Sequence, residues 1–169
     1  VSLLAEFISY NPKKAVDYAL KWDMSRNPMY HNFSDESGDS TNFISQCLYA
    51  GINRLHKFKT KNWYYHDAND YSSSWVEADP LYGFLTTNTE KGLFAKEVSI
   101  TGITIGDVIQ IANESNIFDQ SLLITQITYP LAYENIYVST HDYDAHYRAL
   151  NTYYFSSLRF LHIKGIYTL

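Results

Sequence analysis

The sequence is short of several residues that mark particular structural classes. Its 169 residues include one cysteine, Cys47, which excludes an internal disulfide and any zinc site built from several thiolates, and says little about compartment. Proline (4) and glycine (7) are few, and the chain has neither an internal repeat nor a low-complexity segment. No run approaches the roughly 20 apolar residues of a membrane span. Basic residues number 13 against 18 acidic ones, for a net charge of -5. Lys and Arg are scattered, so the electrostatic footprint of a nucleic-acid-binding protein is missing. The histidines do not pair at metal-ligand spacing, so no metal or other cofactor is implied. The chain opens on Val1 without Met and shows no signal-peptide pattern, which reads as a domain or mature fragment of a larger chain.

What is abundant is aromatic residues, 17% of the sequence, with sixteen Tyr. Tyr joins an apolar ring to a polar tip. Such a population fits either the rim of a core or a Tyr-lined cleft. Trp63, Tyr64, Tyr65, Tyr71 and Trp75 cluster in the middle of the chain. They read either as rings packing a loop onto a helix or as the lining of a groove for a glycan or peptide.

The length fits one domain, residues 1–169. Periodicity predicts a helix over 12–22, with Pro12 at its first position and Ala15, Val16, Ala19 and Leu20 at helical spacing. Asn27-Pro28 marks a turn and 35–39 a polar loop. A second helix is predicted from Ser40, with Phe43, Ile44, Cys47, Leu48 and Ala50 as its stripe and Gly51 at its end. Asp39 or Ser40 can cap it. Residues 57–75 read as loop or weak structure, and 76–85 as a third helix with Pro80 near its start. Short β-branched runs at 107–111, 121–127, 135–140 and 158–163 predict strands. Helices first and strands later indicate an α+β fold, an antiparallel sheet packed on N-terminal helices.

The most informative string is Gly38-Asp39-Ser40-Thr41-Asn42-Phe43-Ile44-Ser45-Gln46-Cys47-Leu48. It resembles the signature of the putative amidase domain family, whose third position is the catalytic Cys. Three more strings resemble that family in its own order: Tyr10 to Ala19, Asn27-Pro28-Met29-Tyr30, and Gly106-Asp107-Val108-Ile109-Gln110. Residues 139–150 and 158–163 also fit, so the resemblance covers nearly the whole chain. It implies a papain-like fold in which the Ser40 helix packs on the sheet. It also implies a bacterial amidase or peptidase, secreted or envelope-associated, acting on amide bonds of cell-wall peptides. In that chemistry a Cys on the first helical turn ionises more readily. A His on a facing strand is the base, a third group orients it, and backbone N–H groups hold the oxyanion.

The resemblance places Ser40 at the nucleophile position, Gln120 at that of the His, and His141 at the third position. A serine hydroxyl is far less acidic than a thiol, and a helix dipole worth about 0.3–1 kcal/mol does not close the gap. Serine nucleophiles need an adjacent base, and Gln120 cannot titrate. It can hydrogen-bond a ligand. Cys47 lies two turns beyond Ser40, roughly 10 Å along the helix, and reads as a small buried hydrophobe. His141 reads either as a site residue or as a structural histidine, and His146 follows five positions later, expected on the same rim. His31 and His66 fall in polar loops and His162 on the closing strand. Asp107 after Gly106 reads as turn chemistry first.

Two functional readings follow. In one, the chain is a degenerate, inactive member that serves as a binding or structural module, with a peptide or peptidoglycan fragment in its cleft. In the other, it is an active amidase or peptidase, through Ser40 and His141 or with Ser40 an engineered replacement of the Cys.

Overall fold

The computed structural model describes residues 6–52 and 60–168. The expected loop over 57–75 therefore lies outside the described residues at 57–59.

Helix α1 (Pro12–Trp22) begins as its sequence dictates: the Asn11 side chain accepts from the Lys14 amide, and Pro12 fills the first helical position, where its missing N–H costs nothing. Its stripe Ala15, Val16 and Ala19 is buried against helix α2 (Ser40–Ala50). In α2, Phe43, Ile44, Cys47 and Leu48 are fully buried, each contributing about 1.5–3 kcal/mol if it buries like an ordinary core side chain. Polar residues of α2, Ser40 to Asn42 and Ser45, are buried as well, so this helix runs through the middle of the molecule.

The helix expected over 76–85 with Pro80 near its start is present two residues later, and a separate short turn of helix precedes it. Helix α3 (Ser73–Val76) stops, Glu77 is extended, and helix α4 (Ala78–Thr87) restarts. In a continuous helix the Pro80 ring would meet the Val76 carbonyl. The break places Pro80 in a first turn, where proline is tolerated. The expected loop before it contains a small hairpin, strands β2 (Tyr65–Asp67) and β3 (Asp70–Tyr71), so His66 sits on a strand instead of in a loop.

The remaining strands are β1 (Phe7–Ile8), β4 (Gly92–Val98), β5 (Val108–Ala112), β6 (Phe118–Ile127), β7 (Ile136–Thr140), β8 (Ala145–Ala149) and β9 (Leu158–Tyr167). They form one antiparallel sheet in the order β1-β9-β5-β6-β7-β8, with β4 also paired to β9. The four expected strands are present as β5, β6, β7 and β9; β6 starts three residues earlier and β9 runs four residues longer than the apolar runs suggest. Strands β1, β4 and β8 were not expected. Strand β4 is stabilised along its length by β9, and its Lys96 and Glu97 are exposed, charge that suits a sheet margin and hides the strand from a hydrophobic pattern.

Alternation along the strands builds two cores. Val108, Leu123, Leu161 and Ile163 face the helices. Ile109, Ile111, Leu122, Ile124, Ile136, Val138 and Phe160 form a second cluster. Strand β5 is buried along its whole length, Gln110 included, and its other residues are all apolar. The architecture is α+β, helices packed on an antiparallel sheet.

Candidate functional site

The strings singled out in the sequence converge on α2. The Tyr10 hydroxyl donates to the Gly106 carbonyl, 2.9 Å, and the Asn11 amide to the Gly51 carbonyl, 2.9 Å. Gly106 has φ 83°, and a side chain there would collide with Pro12, 2.6 Å away. The Asn27 side chain turns the chain by accepting from the Met29 amide and donates to the Tyr18 hydroxyl, which donates to Gln46 Oε1. Asp107, beyond its turn bond to the Thr104 amide, accepts from the Ile163 amide and bonds His162 Nδ1. Burial pushes its carboxyl up, against those hydrogen bonds.

Ser40 is the first residue of α2, as expected, and strand β6 faces it. The Ser121 amide donates to Ser40 Oγ at 3.2 Å, and Ser121 Oγ shares a hydrogen bond with Thr41 Oγ1 at 2.8 Å. Behind Ser121, Gln110 Nε2 reaches its hydroxyl at 3.2 Å. Gln110 is fixed in turn by the Ala78 carbonyl and by Arg159, whose guanidinium lies between the rings of Tyr82 and Phe118.

Neither Asp39 nor Ser40 caps α2 with its side chain. The cap comes from the turn after β7: Asp142 Oδ2 accepts from the Asp39 amide at 2.6 Å and from the Ser40 amide at 3.0 Å. The orphan N–H groups of a helix start attract an anion, and here the protein's own carboxylate takes that place. Two features admit it. Asp142 and Tyr143 adopt φ of 61° and 64°, reversing the chain tightly. Gly38, at φ +99°, leaves room that a Cβ 2.9 Å from Asp142 Oδ2 would remove. Partial burial and the Asp39 charge push the Asp142 carboxyl up, outweighing the two amide bonds.

His141 does not point at Gln120. Its ring is buried and stacked on Phe43, with centroids 4.0 Å apart. Nδ1 lies 2.5 Å from Asp39 Oδ2 and Nε2 lies 2.8 Å from the Trp22 carbonyl. Both nitrogens are engaged, so neither is available to take a proton from Ser40. Burial alone would raise Asp39, but bonds from His141, the Phe33 amide and Asn42 hold its carboxyl below the ordinary value. Arg26 closes the network with a forked pair to Asp144, 2.9 Å on each arm, and approaches Asp39 at 3.5 Å. Among the described residues the Gln120 side chain meets only the Asp142 carbonyl, at 3.4 Å. The structure thus brings Ser40, Gln120 and His141 to one end of α2 without joining any two of them. His146 bonds Asp23, which also accepts from Ser139.

In front of Ser40 lies a cleft of about 250 Å³, walled by Gly38, Thr41, Ile117 and Phe118 and edged by Glu77, Asp79 and Asp119. Cys47 is elsewhere: fully buried, its thiol pushed well up by burial and by the charge of Asp23. Among the described residues no group of His, Cys, Asp and Glu is arranged to hold a metal, and no helix is long and apolar enough to cross a membrane. Sequence reasoning missed Asp142 and Gln110 as parts of this site; the one local signal for Asp142 was the glycine at 38.

Fold and site together define an α+β domain with a cleft at the start of a buried central helix. The Putative amidase domain family matches residues 9–163, and the chain belongs to that family. It is similar to the Bacillus subtilis (strain 168) protein called Uncharacterized protein YhbB, 41% identical over 103 residues. That match covers 59% of this chain and 32% of the relative, so the chain spans about a third of that protein's length. No solved structure matches.

Proposed function

We propose that this chain is a papain-like member of its family that does not hydrolyse amides. It serves as a binding or structural module of a larger secreted or envelope protein, with a peptide or peptidoglycan fragment as the ligand of the Ser40 cleft. The observation that carries this reading is the Asp142 carboxylate on the Ser40 amide. An acyl-transfer site needs that N–H for a developing oxyanion, and a resident carboxylate repels one. Among the described residues no base reaches Ser40, which supports the reading too: Ser40 Oγ meets an amide donor and Gln120 cannot titrate, while both His141 nitrogens are engaged.

The test is hydrolysis of peptidoglycan fragments and simple amides, with turnover at background expected. Labelling of Ser40 by a serine-reactive fluorophosphonate would overturn the reading.

A further inference from the structure

The Ser40 cleft is small. At about 250 Å³ it falls below the roughly 300–1,000 Å³ of a small-molecule pocket, so it has room for one side chain and the peptide unit that bears it. Its floor is Ser40 and Thr41, each 2% exposed. Ser40 Oγ accepts from the Ser121 amide, and among the described residues it donates to no acceptor. A hydroxyl both donates and accepts, and a buried polar group without its full set of partners is a place for a ligand to supply one.

The charge around that hydroxyl has one sign. A helix start ordinarily draws an anion, but Asp142 Oδ2 already holds the Asp39 and Ser40 amides. An acceptor that arrives as a carboxylate therefore meets a resident negative charge. Glu77, Asp79 and Asp119 stand at the rim, and the described lining contains no Lys, Arg or His. The neighbouring Arg159 is engaged: it pairs Asp79 at 2.7 Å and forks Gln110. Asp119 accepts from the Asn113 side-chain amide at 2.9 Å, which fixes the carboxylate without cancelling its charge. Glu77 is exposed, and among the described residues its carboxylate has no partner. Pro80, Ile117 and Phe118 add apolar surface between rim and floor. Arg159 also lies over the Phe118 ring at 3.9 Å, so one side chain ties the Phe118 and Asp79 walls together.

We infer that the Ser40 cleft reads a basic side chain of a peptide. The ammonium sits at Glu77 and Asp119, the methylene stem lies along Phe118, and a peptide carbonyl accepts from Ser40 Oγ. Asp142 is the residue that turns carboxylates away. A long amphipathic side chain buries its stem and keeps its charged head at a wet rim, and a like charge set against the wrong ligand is a source of specificity. The inference rests on the reading of this cleft as a ligand site and adds which ligand it takes.

The experiment titrates the chain with three tripeptides, acetylated and amidated so that no terminal charge enters: alanyl-lysyl-alanine, alanyl-norleucyl-alanine and alanyl-glutamyl-alanine. Amide NMR shifts report binding. The lysine peptide should saturate with shifts at Ser40, Thr41, Phe118 and Asp119, about fivefold tighter than the norleucine peptide and about tenfold tighter than the glutamate peptide. Raising salt from about 50 to about 300 mM should shrink both ratios. Glu77→Gln with Asp119→Asn should bring the lysine-to-norleucine ratio close to one. Asp142→Asn, which keeps an oxygen at the helix start, should narrow the lysine-to-glutamate ratio about threefold. A purely structural effect of these changes would move all three peptides alike and leave the ratios as they are, and that result overturns the inference. Saturable binding at Ser40 without a preference for lysine, or with a preference for glutamate, also overturns it and leaves the cleft a ligand site. Failure of all three peptides to bind at Ser40 overturns the cleft as a peptide site and the inference with it.

Discussion

Asp142 Oδ2 stands 3.0 Å from the Ser40 amide nitrogen, across 102 positions of sequence. The contact both caps the central helix and fills the anion position in front of Ser40. The same atom accepts from the Asp39 amide, so one carboxylate oxygen satisfies two of the orphan donors of α2.

Asp142→Ala should therefore destabilise the chain by about 1–2 kcal/mol, the range of a lost charged helix cap. Asp142→Asn keeps an oxygen acceptor and should lose less than half of that. Urea unfolding of the three proteins checks both. Equal midpoints for the alanine variant and the parent would mean that the contact contributes nothing.

Asp39→Asn breaks a buried pair with His141 and should cost about 3 kcal/mol at neutral pH. Its pH dependence has a defined sign. The native carboxyl lies below the ordinary 3.8. The stability it contributes is complete above 3.8 and is lost as pH falls further through the native value. The gap between parent and variant should thus be flat above about pH 5 and narrow below the ordinary carboxylate range. Asp107, raised instead without any contribution from Asp39, titrates in both proteins and cancels in the difference, whereas Asp142 is raised in part by the Asp39 charge, so the comparison is made in an Asp142→Asn background. A gap that widens on acidification contradicts this account.

Ser40→Cys alone should gain little hydrolytic activity, because among the described residues no base faces the new thiol. Ser40→Cys with Gln120→His supplies both members of a unit whose effects are non-additive. It should raise the rate of iodoacetamide labelling at position 40 by at least about tenfold over the single change. If the single variant already turns over substrate, the argument from Gln120 is wrong.

Native Cys47 should resist the same reagent, since its thiol is fully buried and held in the protonated form. Labelling should appear only with unfolding in urea. Cys47→Ser places a hydroxyl among apolar neighbours and should cost about 1–3 kcal/mol. Fast native labelling would put the thiol at the surface and remove it from the core.

Much of the frame was legible locally. The apolar spacing of α1 and α2 depends on which face each residue presents, and a helical period of 3.6 encodes that without reference to the rest of the chain. The break at Glu77 was hidden because Pro80 is tolerated anywhere in a first helical turn, so it marked the start of α4 only to within a few residues.

Sequence alone determined the helix beginning at Ser40, the burial of Cys47, the four apolar strands β5, β6, β7 and β9, and membership in the family through strings spread over the chain. Tertiary structure alone decided that β4 pairs with β9, that His141 turns to Asp39 and the Trp22 carbonyl, and that Asp142 caps Ser40. The physical reason is range. Periodicity and turn chemistry act over a few residues, whereas the β4–β9 pairing joins backbone groups many tens of positions apart and the His141 and Asp142 contacts join polar groups more than a hundred apart. Which donor meets which acceptor at that range is fixed when the sheet and helices close around them, since buried polar groups must then find partners among whatever packing has brought near.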